Sequence, residues 1–169
     1  MRKIIVFMLS SSLIFGALYA KEPLLAELNS IHSNETQSFS VGSYAFTCET
    51  YGVLALDTLY KNSKKGSACQ KSIDKLYRIN TGLKYYTRGI LKTRQLYHIE
   101  IKNKKCIVYA KGQMSLSELL LQNGLAIKKP VFNDEEFSSD FTKAQMNAKI
   151  HRKGLWKEGV FKACIEVIN

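Results

Sequence analysis

Two helical segments in the C-terminal third of the chain constrain its fold most. The first begins at Ser115, where a Ser-x-x-Glu capping box satisfies free backbone N–H groups, and it stops at Gly124, a natural C-terminal cap. The second begins near Ser138 or Ser139 and ends at Gly154, with apolar residues at the spacing of a helix that buries one face. Both helices need an apolar surface to cover, and the strand-like segments that precede them are the candidates for that surface.

The central part of the chain alternates between strand-like and helical patterns. Residues 39–57 have a β-like apolar pattern, and Gly52 marks a turn or bulge between two strands. A helix is predicted from Ser67, the N-cap of a Ser-x-x-Gln box, to about Asn80 or Gly82.

The remaining segments complete an α+β order of elements. Residues 21–38 are predicted to form a short helix followed by a loop. Residues 85–101 are strand-rich and residues 106–110 form another strand, so that residues 102–105 become the basic tip of a β-hairpin.

The N-terminus and the net charge restrict the function classes. Residues 1–20 have a charged start, an apolar run and a small residue at Ala20, which is the pattern of a cleaved signal peptide. The chain carries +11 at pH 7, and loss of Arg2 and Lys3 with that peptide leaves +9. A basic exported protein is attracted to nucleic acid, to anionic lipid headgroups or to acidic partners, and charge alone does not choose among them.

Cysteine usage agrees with export to an oxidising compartment. The four cysteines, an even number, predict two disulfides with three possible connectivities. The chain has no Cys-x-x-Cys motif, which argues against a zinc site. The working hypothesis pairs Cys106, on a strand, with Cys164 in the tail, and leaves Cys48 with Cys69.

The residues of the second half carry a resemblance to a known family. A strand ends in Tyr and a Gly turn, a helix closes in Gly-Leu-Ala, and a last helix carries Ala repeats and ends in Gly-Leu-Trp. The matching residues are Tyr109, Gly112, Glu118, Leu119, Leu120, Gly124-Leu125-Ala126, Ala144, Ala148 and Gly154-Leu155-Trp156. This pattern resembles the staphylococcal-nuclease-like (thermonuclease) family.

The resemblance implies a fold and a division of the chain. It covers residues 39–156 and implies a five-stranded OB-type β-barrel with about three packed helices. Residues 21–38 are then an N-terminal extension, and residues 157–169 are a C-terminal tail held by a disulfide. The tail is predicted to be either a final strand or a contact to a partner.

Active members of the family hydrolyse phosphodiesters with a calcium ion, two arginines and a glutamate, and the first of their motifs is incomplete here. That motif places an Arg, an apolar run, an Asp, a small residue, Pro and Glu. Asp57 and Thr58 match its middle, whereas Gly52 stands at the Arg and Leu59-Tyr60 replace Pro-Glu. Asp57 is the single match to a metal-ligand position.

The other two family motifs are also altered. Asn103-Lys104-Lys105 stands where the family has Tyr-Gly-Arg, and lysine does not replace a bidentate guanidinium. No counterpart of the family's Asp-Gly-Asp-Thr calcium element is found between Lys21 and Gly52. The hydrolytic site is therefore interpreted as lost, with no cofactor. In a shifted alignment, Glu100 or Glu49 would supply the acid and Arg94 or Arg88 the cation.

A basic rim with aromatic residues is the candidate nucleic-acid interface. Its predicted members are Lys102, Lys104, Lys105, Lys128, Lys129, Tyr85 and Tyr97, with Tyr86 beside them. Aromatic residues in OB-fold grooves stack on bases, and lysines neutralise phosphates. The alternative is a solvated hairpin tip with tyrosines that pack the barrel.

Together these observations favour a periplasmic or secreted binding module. Its predicted partner is either a protein in an envelope assembly or extracytoplasmic nucleic acid. The alternative function is a secreted calcium-dependent nuclease that hydrolyses DNA or RNA.

Overall fold

The computed structural model describes residues 23–157 and 159–168, and the predicted signal peptide over residues 1–20 lies outside these ranges. The strands are β1 (Leu24–Ile31), β2 (Thr36–Val41), β3 (Tyr44–Glu49), β4 (Val53–Ala55), β5 (Leu96–Lys102), β6 (Lys105–Lys111), β7 (Met114–Ser115) and β8 (Ala126–Lys128). The helices are α1 (Leu56–Asn62), α2 (Ala68–Ile79), α3 (Thr81–Lys84), α4 (Tyr86–Ile90), α5 (Leu116–Gln122), α6 (Glu135–Ile150) and α7 (Val160–Ile168), with a 3₁₀ turn at Gly154–Trp156. Among the described residues, no helix is long and apolar enough to cross a membrane.

One antiparallel sheet forms the centre of the molecule, in the order β3-β2-β1-β5-β6-β7, and β4 pairs separately with β8. The sheet curls so that its first strand approaches β6. Thr50, just after β3, forms a bridge with Cys106, and the Tyr51 N–H donates to the Cys106 carbonyl at 3.0 Å. The predicted α+β, OB-type fold is confirmed, although the described residues form more short helices than predicted.

Strand β1 corrects the prediction for the N-terminal extension. Residues 21–38 were predicted to form a helix and a loop, but residues 24–31 form a strand between β2 and β5. The side chains of Ala26 and Leu28 are fully buried, whereas Leu24 and Leu25 remain 39% and 47% exposed. The adjacent apolar residues at the start of the segment hide the strand alternation that begins at Ala26, which is why the helix prediction was wrong.

The start of β5 is also corrected. Residues 85–95 were predicted to be strand-rich, but they contain α4 and a loop, and the strand begins at Leu96. A tertiary contact holds this helix: buried Thr87 donates through its N–H to Asn34 Oδ1 at 3.0 Å and through its hydroxyl to the Asn34 carbonyl at 2.8 Å. A contact across 53 residues leaves no local sequence pattern.

The capped helices appear as predicted. Ser67 accepts a hydrogen bond from the Gln70 N–H at the start of α2, and Ser115 and Glu118 form a complete capping box at the start of α5. Helix α6 begins earlier than predicted because Asp134 is its N-cap and accepts from the Glu136 N–H at 3.0 Å. The C-terminal end of α6 packs through fully buried Ala148.

The disulfide hypothesis was wrong. The pairs are Cys48–Cys106 and Cys69–Cys164, with Cα–Cα distances of 5.6 Å and 4.5 Å. The expected pairing required Cys164 in the tail to reach Cys106 on its strand. The tail instead forms helix α7, which packs on α2, while the curl of the sheet brings Cys48 to Cys106.

Candidate functional site

The side chain of Asp57 lies in the first turn of α1, directly after strand β4. Its Oδ1 accepts a hydrogen bond from Tyr77 Oη at 2.8 Å, and its Oδ2 accepts from the Asn34 N–H at 3.1 Å. Burial, followed by the negative charge of Asp57, raises the pKa of the Tyr77 phenol, so the phenol stays protonated as a donor. Both carboxylate oxygens of Asp57 therefore have donors within the protein.

Glu35 lies beside Asp57 and was missed by the sequence reasoning. It belongs to the turn between β1 and β2, where Ser33 Oγ accepts from the N–H groups of Glu35 and Thr36 at 3.2 and 3.1 Å. Thr58 donates its hydroxyl proton to Glu35 Oε1. The signal that would have revealed it is the polar turn Ser33-Asn34-Glu35-Thr36, in which an acid directly precedes Thr, as in the family's Asp-Gly-Asp-Thr element.

The environment of Glu35 favours its neutral form. Burial is the largest cause that raises the pKa of this carboxyl, and the charges of Asp57 and Glu49 act in the same direction. The Thr58 hydrogen bond and the charge of Lys105 oppose the rise without cancelling it. The pKa of the Glu35 carboxyl is therefore raised beside the carboxylate of Asp57.

This donor set does not fit calcium. The ion takes six to eight oxygen ligands from clustered, ionised groups. Asp57 and Glu35 bring two carboxylates together here, fewer than the ion's usual ligand set, and each oxygen of Asp57 already accepts one hydrogen bond. Within residues 23–157 and 159–168, no group of three or more His, Cys, Asp or Glu side chains is arranged to hold a metal ion.

The position of the first family arginine is closed to any side chain. Gly52 has φ +73°, and a Cβ built on it would lie 2.5 Å from Phe132 Cε2 and 2.8 Å from Phe141 Cε2. The two rings stack with centroids 5.3 Å apart. Tyr60, at the family's glutamate position, turns away to Asp74, with its Oη 3.5 Å from Asp74 Oδ2.

The second arginine position, Lys105, begins β6 directly after the tight turn of the β5–β6 hairpin, where Asn103 and Lys104 have φ of 50° and 61°. Lys105, which follows, donates to Glu49 in an ion pair. That hydrogen bond is the largest cause that lowers the pKa of Glu49, and the charge of Lys129 adds to it. The Cys48–Cys106 disulfide holds this pair in register, since each of its cysteines is the chain neighbour of one partner.

Two further lysines of the predicted rim are also engaged. Lys102 Nζ lies 3.3 Å from Asp134 Oδ2 and 2.5 Å from Glu136 Oε2, and those hydrogen bonds raise its pKa although burial acts to lower it. Lys128 Nζ donates to Ser138 Oγ at 2.8 Å and Thr142 Oγ1 at 2.9 Å, on helix α6.

A cavity of about 270 Å³ remains at the hairpin, and we call it the hairpin cavity. Its cationic wall residues are Lys105 and Lys129. Its other wall residues are Tyr51, Gly52, Asn103, Val131, Phe132, Asn133 and Asp134. Lys104 is exposed on the neighbouring turn. This is the part of the predicted interface that the fold brings together.

The predicted tyrosines contact a different set of residues. Tyr85 lies beside Lys84 and Arg88, and Tyr97 Oη accepts from the Lys92 N–H at 2.7 Å. Tyr86 is half-buried and its Oη accepts from Asn123 Nδ2 at 2.7 Å. None of these contacts involves a hairpin lysine, so the described part of the chain presents two separate basic regions.

The acids and cations of the shifted alignment are placed apart. We call Asp57 and Glu35 the acid cluster. Glu49 lies close enough to Glu35 for its charge to raise the Glu35 pKa, but Glu100 accepts from Tyr109 Oη on the β5–β6 hairpin. Arg94 lies in the loop before β5, where its N–H donates to the Leu28 carbonyl at 2.8 Å. Arg88 lines a cavity that Asp57 also lines.

Comparison with known proteins agrees with the fold. No curated protein matches this chain. The model of the family described as staphylococcal nuclease homologue matches residues 26–158, which is most of the chain and includes most of strand β1. The chain therefore belongs to the staphylococcal nuclease homologue family, whose domain is a nucleic-acid-binding fold.

Proposed function

We propose that this protein is an exported member of its family that binds nucleic acid at the hairpin cavity and does not hydrolyse it with calcium. The observation that carries the loss of hydrolysis is at Gly52. The rings of Phe132 and Phe141 occupy the space that an arginine side chain would need. A bidentate donor to the phosphate is thereby removed, and such donors stabilise the charge that develops in the transition state.

The acid cluster supports the same conclusion. Tyr77 and Asn34 each donate to one carboxylate oxygen of Asp57, which leaves fewer lone pairs for a metal ion. Glu35 is held by Thr58 and its pKa is raised by burial, which favours a structural acid over a calcium ligand.

The hairpin cavity supports binding. Lys105 and Lys129 face a space of about 270 Å³ beside the polar side chains of Asn103 and Asn133. Of the charged wall residues, Lys105 is paired with Glu49 and Asp134 with Lys102. Lysines of this kind neutralise phosphates and release counterions, whereas amide groups hydrogen-bond to sugar, phosphate or base edges. Export is supported by the two disulfides, which persist in oxidising compartments.

A second candidate function is docking to a protein partner of the cell envelope. It is favoured by Tyr44 at the β2–β3 hairpin, which is 70% exposed and stacks on Phe46 at a centroid distance of 6.0 Å. Exposed aromatic residues are common anchors of protein interfaces.

A gel-shift and cleavage assay tests the proposal. The oxidised protein is incubated with labelled single- and double-stranded DNA, in calcium or in chelator. A salt-sensitive shift without cleavage is expected. Calcium-dependent cleavage would establish the nuclease instead, and the absence of both would favour the protein partner.

A matched pair of variants locates the binding. Lys105→Gln with Lys129→Gln removes both cations of the cavity, and Lys64→Gln with Lys65→Gln removes two exposed charges from the loop before α2. On single-stranded DNA, the salt slope should fall by about 1.4 in the cavity variant, because each lost phosphate contact contributes about 0.7. The loop variant should keep the wild-type slope.

A further inference from the structure

A groove runs along β1 where α3, α4 and the loop after them pack against it, and we call it the β1 groove. It consists of two adjoining cavities of about 150 and 350 Å³, both bounded by Ile31 and Arg88. The smaller one extends to the turn after β1 and to Tyr85. The larger one extends along Asn29, Ser30, Leu91, Lys92 and Thr93.

Three cations border this groove: Lys84, Arg88 and Lys92. All three are exposed. The ion pairs of the described residues involve Lys102, Lys105 and Lys143, so none of the groove cations has a carboxylate partner within 4.0 Å there. Lys102 and Lys105 of the predicted rim are already ion-paired. A ligand can bind the groove cations without breaking an ion pair.

The half-exposed ring of Tyr85 positions two of these cations. Lys84 Nζ lies 5.8 Å and Arg88 Cζ 5.3 Å from the ring centroid, within the range of cation–π attraction. Arg88 Nη2 also donates to the Ile31 carbonyl at 3.4 Å, which holds the guanidinium over the wall that the two cavities share.

Hydrogen bonds to Asn34 hold the segment that carries these residues. Buried Asn34 accepts from the Thr87 N–H at 3.0 Å and donates through Nδ2 to the Leu83 carbonyl at 2.8 Å. Both helices of the segment are thereby tied to the turn after β1, so the cations project from a fixed backbone.

Acidic groups determine which part of the groove suits an anion. Asp57 lines the smaller cavity, where its charge would repel a phosphate. The larger cavity has no acid among its lining residues, and it offers the hydroxyls of Ser30 and Thr93 beside Arg88 and Lys92. An anion therefore fits best in the larger cavity, with an aromatic ring available at the other end of the groove.

We propose that the β1 groove binds a single-stranded nucleic acid, with phosphates on Arg88 and Lys92 and an unpaired base against Tyr85. A guanidinium matches a phosphate bidentately, and an exposed ring offers a stacking surface that paired bases do not use. The inference shares with the proposed function the assumption that the ligand is nucleic acid, but the groove is a separate site from the hairpin cavity.

Fluorescence anisotropy with a labelled oligothymidylate of about 16 nucleotides tests the groove over a series of salt concentrations. The groove variant is Lys84→Gln, Arg88→Gln and Lys92→Gln in the oxidised protein. Its control, Lys64→Gln, Lys65→Gln and Lys71→Gln, removes the same charge from the exposed surface around the start of α2.

The expected result is a smaller salt slope in the groove variant. The slope should fall by about 1.4, because the two single-strand phosphate contacts, on Arg88 and Lys92, are lost at about 0.7 each. The control should keep the slope of the wild-type protein. Circular dichroism melting of each variant excludes unfolding as the cause.

A fluorescence reporter tests the position of the base independently. In Tyr85→Trp, the added indole should be quenched when the oligonucleotide stacks on it, relative to the signal of Trp156 in the parent chain. The parent protein supplies the background for this comparison. Unchanged fluorescence at saturation would mean that no base stacks on this ring, and it would overturn the proposed binding mode.

The variants separate the groove from the hairpin cavity. If Lys105→Gln with Lys129→Gln lowers affinity and the groove variant binds like wild type, the groove proposal is overturned and the proposed function stands. If only the groove variant loses affinity, the groove is the binding site and the hairpin assignment fails. Equal competition by polyglutamate would overturn nucleic acid as the ligand of the groove.

Discussion

Alanine at Gly52 should destabilise the protein far more than alanine at a glycine with open space around it. Gly52 lies between β3 and β4 with φ +73°, a conformation that costs a residue with a Cβ about 1 kcal/mol. The added Cβ would also lie 2.5 Å from Phe132 Cε2 and 2.8 Å from Phe141 Cε2. Phe141 is fully buried, so its ring can move only by displacing its core neighbours, whereas the Phe132 ring is partly exposed.

The overpacking adds to the backbone strain. Insertion of one carbon into a packed core typically costs about 1–3 kcal/mol, because neighbouring side chains leave their rotamers. The sum for Gly52→Ala is therefore a loss of about 2–4 kcal/mol of unfolding free energy. An arginine at this position would meet the same two rings with a much larger side chain.

Gly112 provides the matched control. It has φ +60° in the turn between β6 and β7, and a Cβ built there meets nothing within 4 Å. Gly112→Ala should cost about 1 kcal/mol, which is the backbone strain alone. Equilibrium urea unfolding of both variants measures the difference. Equal losses in the two variants would mean that the rings yield easily, and the argument that an arginine is excluded from position 52 would fail.

Three further predictions concern capping, protonation and the disulfide of the tail. Ser115→Ala removes the capping box with Glu118 and should lower the unfolding free energy by about 1 kcal/mol in urea titrations, whereas an unchanged value would mean that water replaces the cap. The Glu35 carboxyl has a raised pKa in the folded protein, so the unfolded chain ionises first and the unfolding free energy falls as pH rises above about 4.5. The unfolding free energy of Glu35→Gln relative to wild type should therefore increase from pH 4 to pH 7. A flat difference across that range would contradict the raised pKa of Glu35. Replacement of Cys69 and Cys164 by alanine removes a link across 95 residues and should lower the unfolding free energy by about 2–4 kcal/mol. The measurement is the shift in the unfolding midpoint against the wild-type protein with its disulfides intact. No shift would mean that α7 packs independently of the bond.

Local signals were reliable where a few neighbouring residues determine the structure. Ser67 and Ser115 cap helices through hydrogen bonds to residues three positions away, and both helices begin where those signals placed them. The basic tip of the β5–β6 hairpin was predicted for the same reason, since the turn and its flanking alternation lie within a short segment.

Errors arose where the deciding contact was distant. Helix α4 depends on the hydrogen bonds between Thr87 and Asn34, and the β1 strand depends on neighbours at both of its edges. Three of the predicted rim lysines proved to be engaged, Lys102 and Lys105 by acids and Lys128 by hydroxyls, and most of these partners lie far away in the sequence. The identity of a lysine shows its charge, but its availability depends on which groups the fold places beside it.

The amino-acid pattern alone was sufficient to identify the family, the OB-type fold and the absence of arginine from two motif positions, because these are properties of residue type and spacing. Packing in three dimensions determined the rest. It brought Glu35 to Asp57, paired Cys48 with Cys106 through the curl of the sheet, and filled the space at Gly52 with two phenylalanine rings. Each of these results depends on side chains from separate elements. Those side chains are far apart in the sequence and meet only when the chain folds.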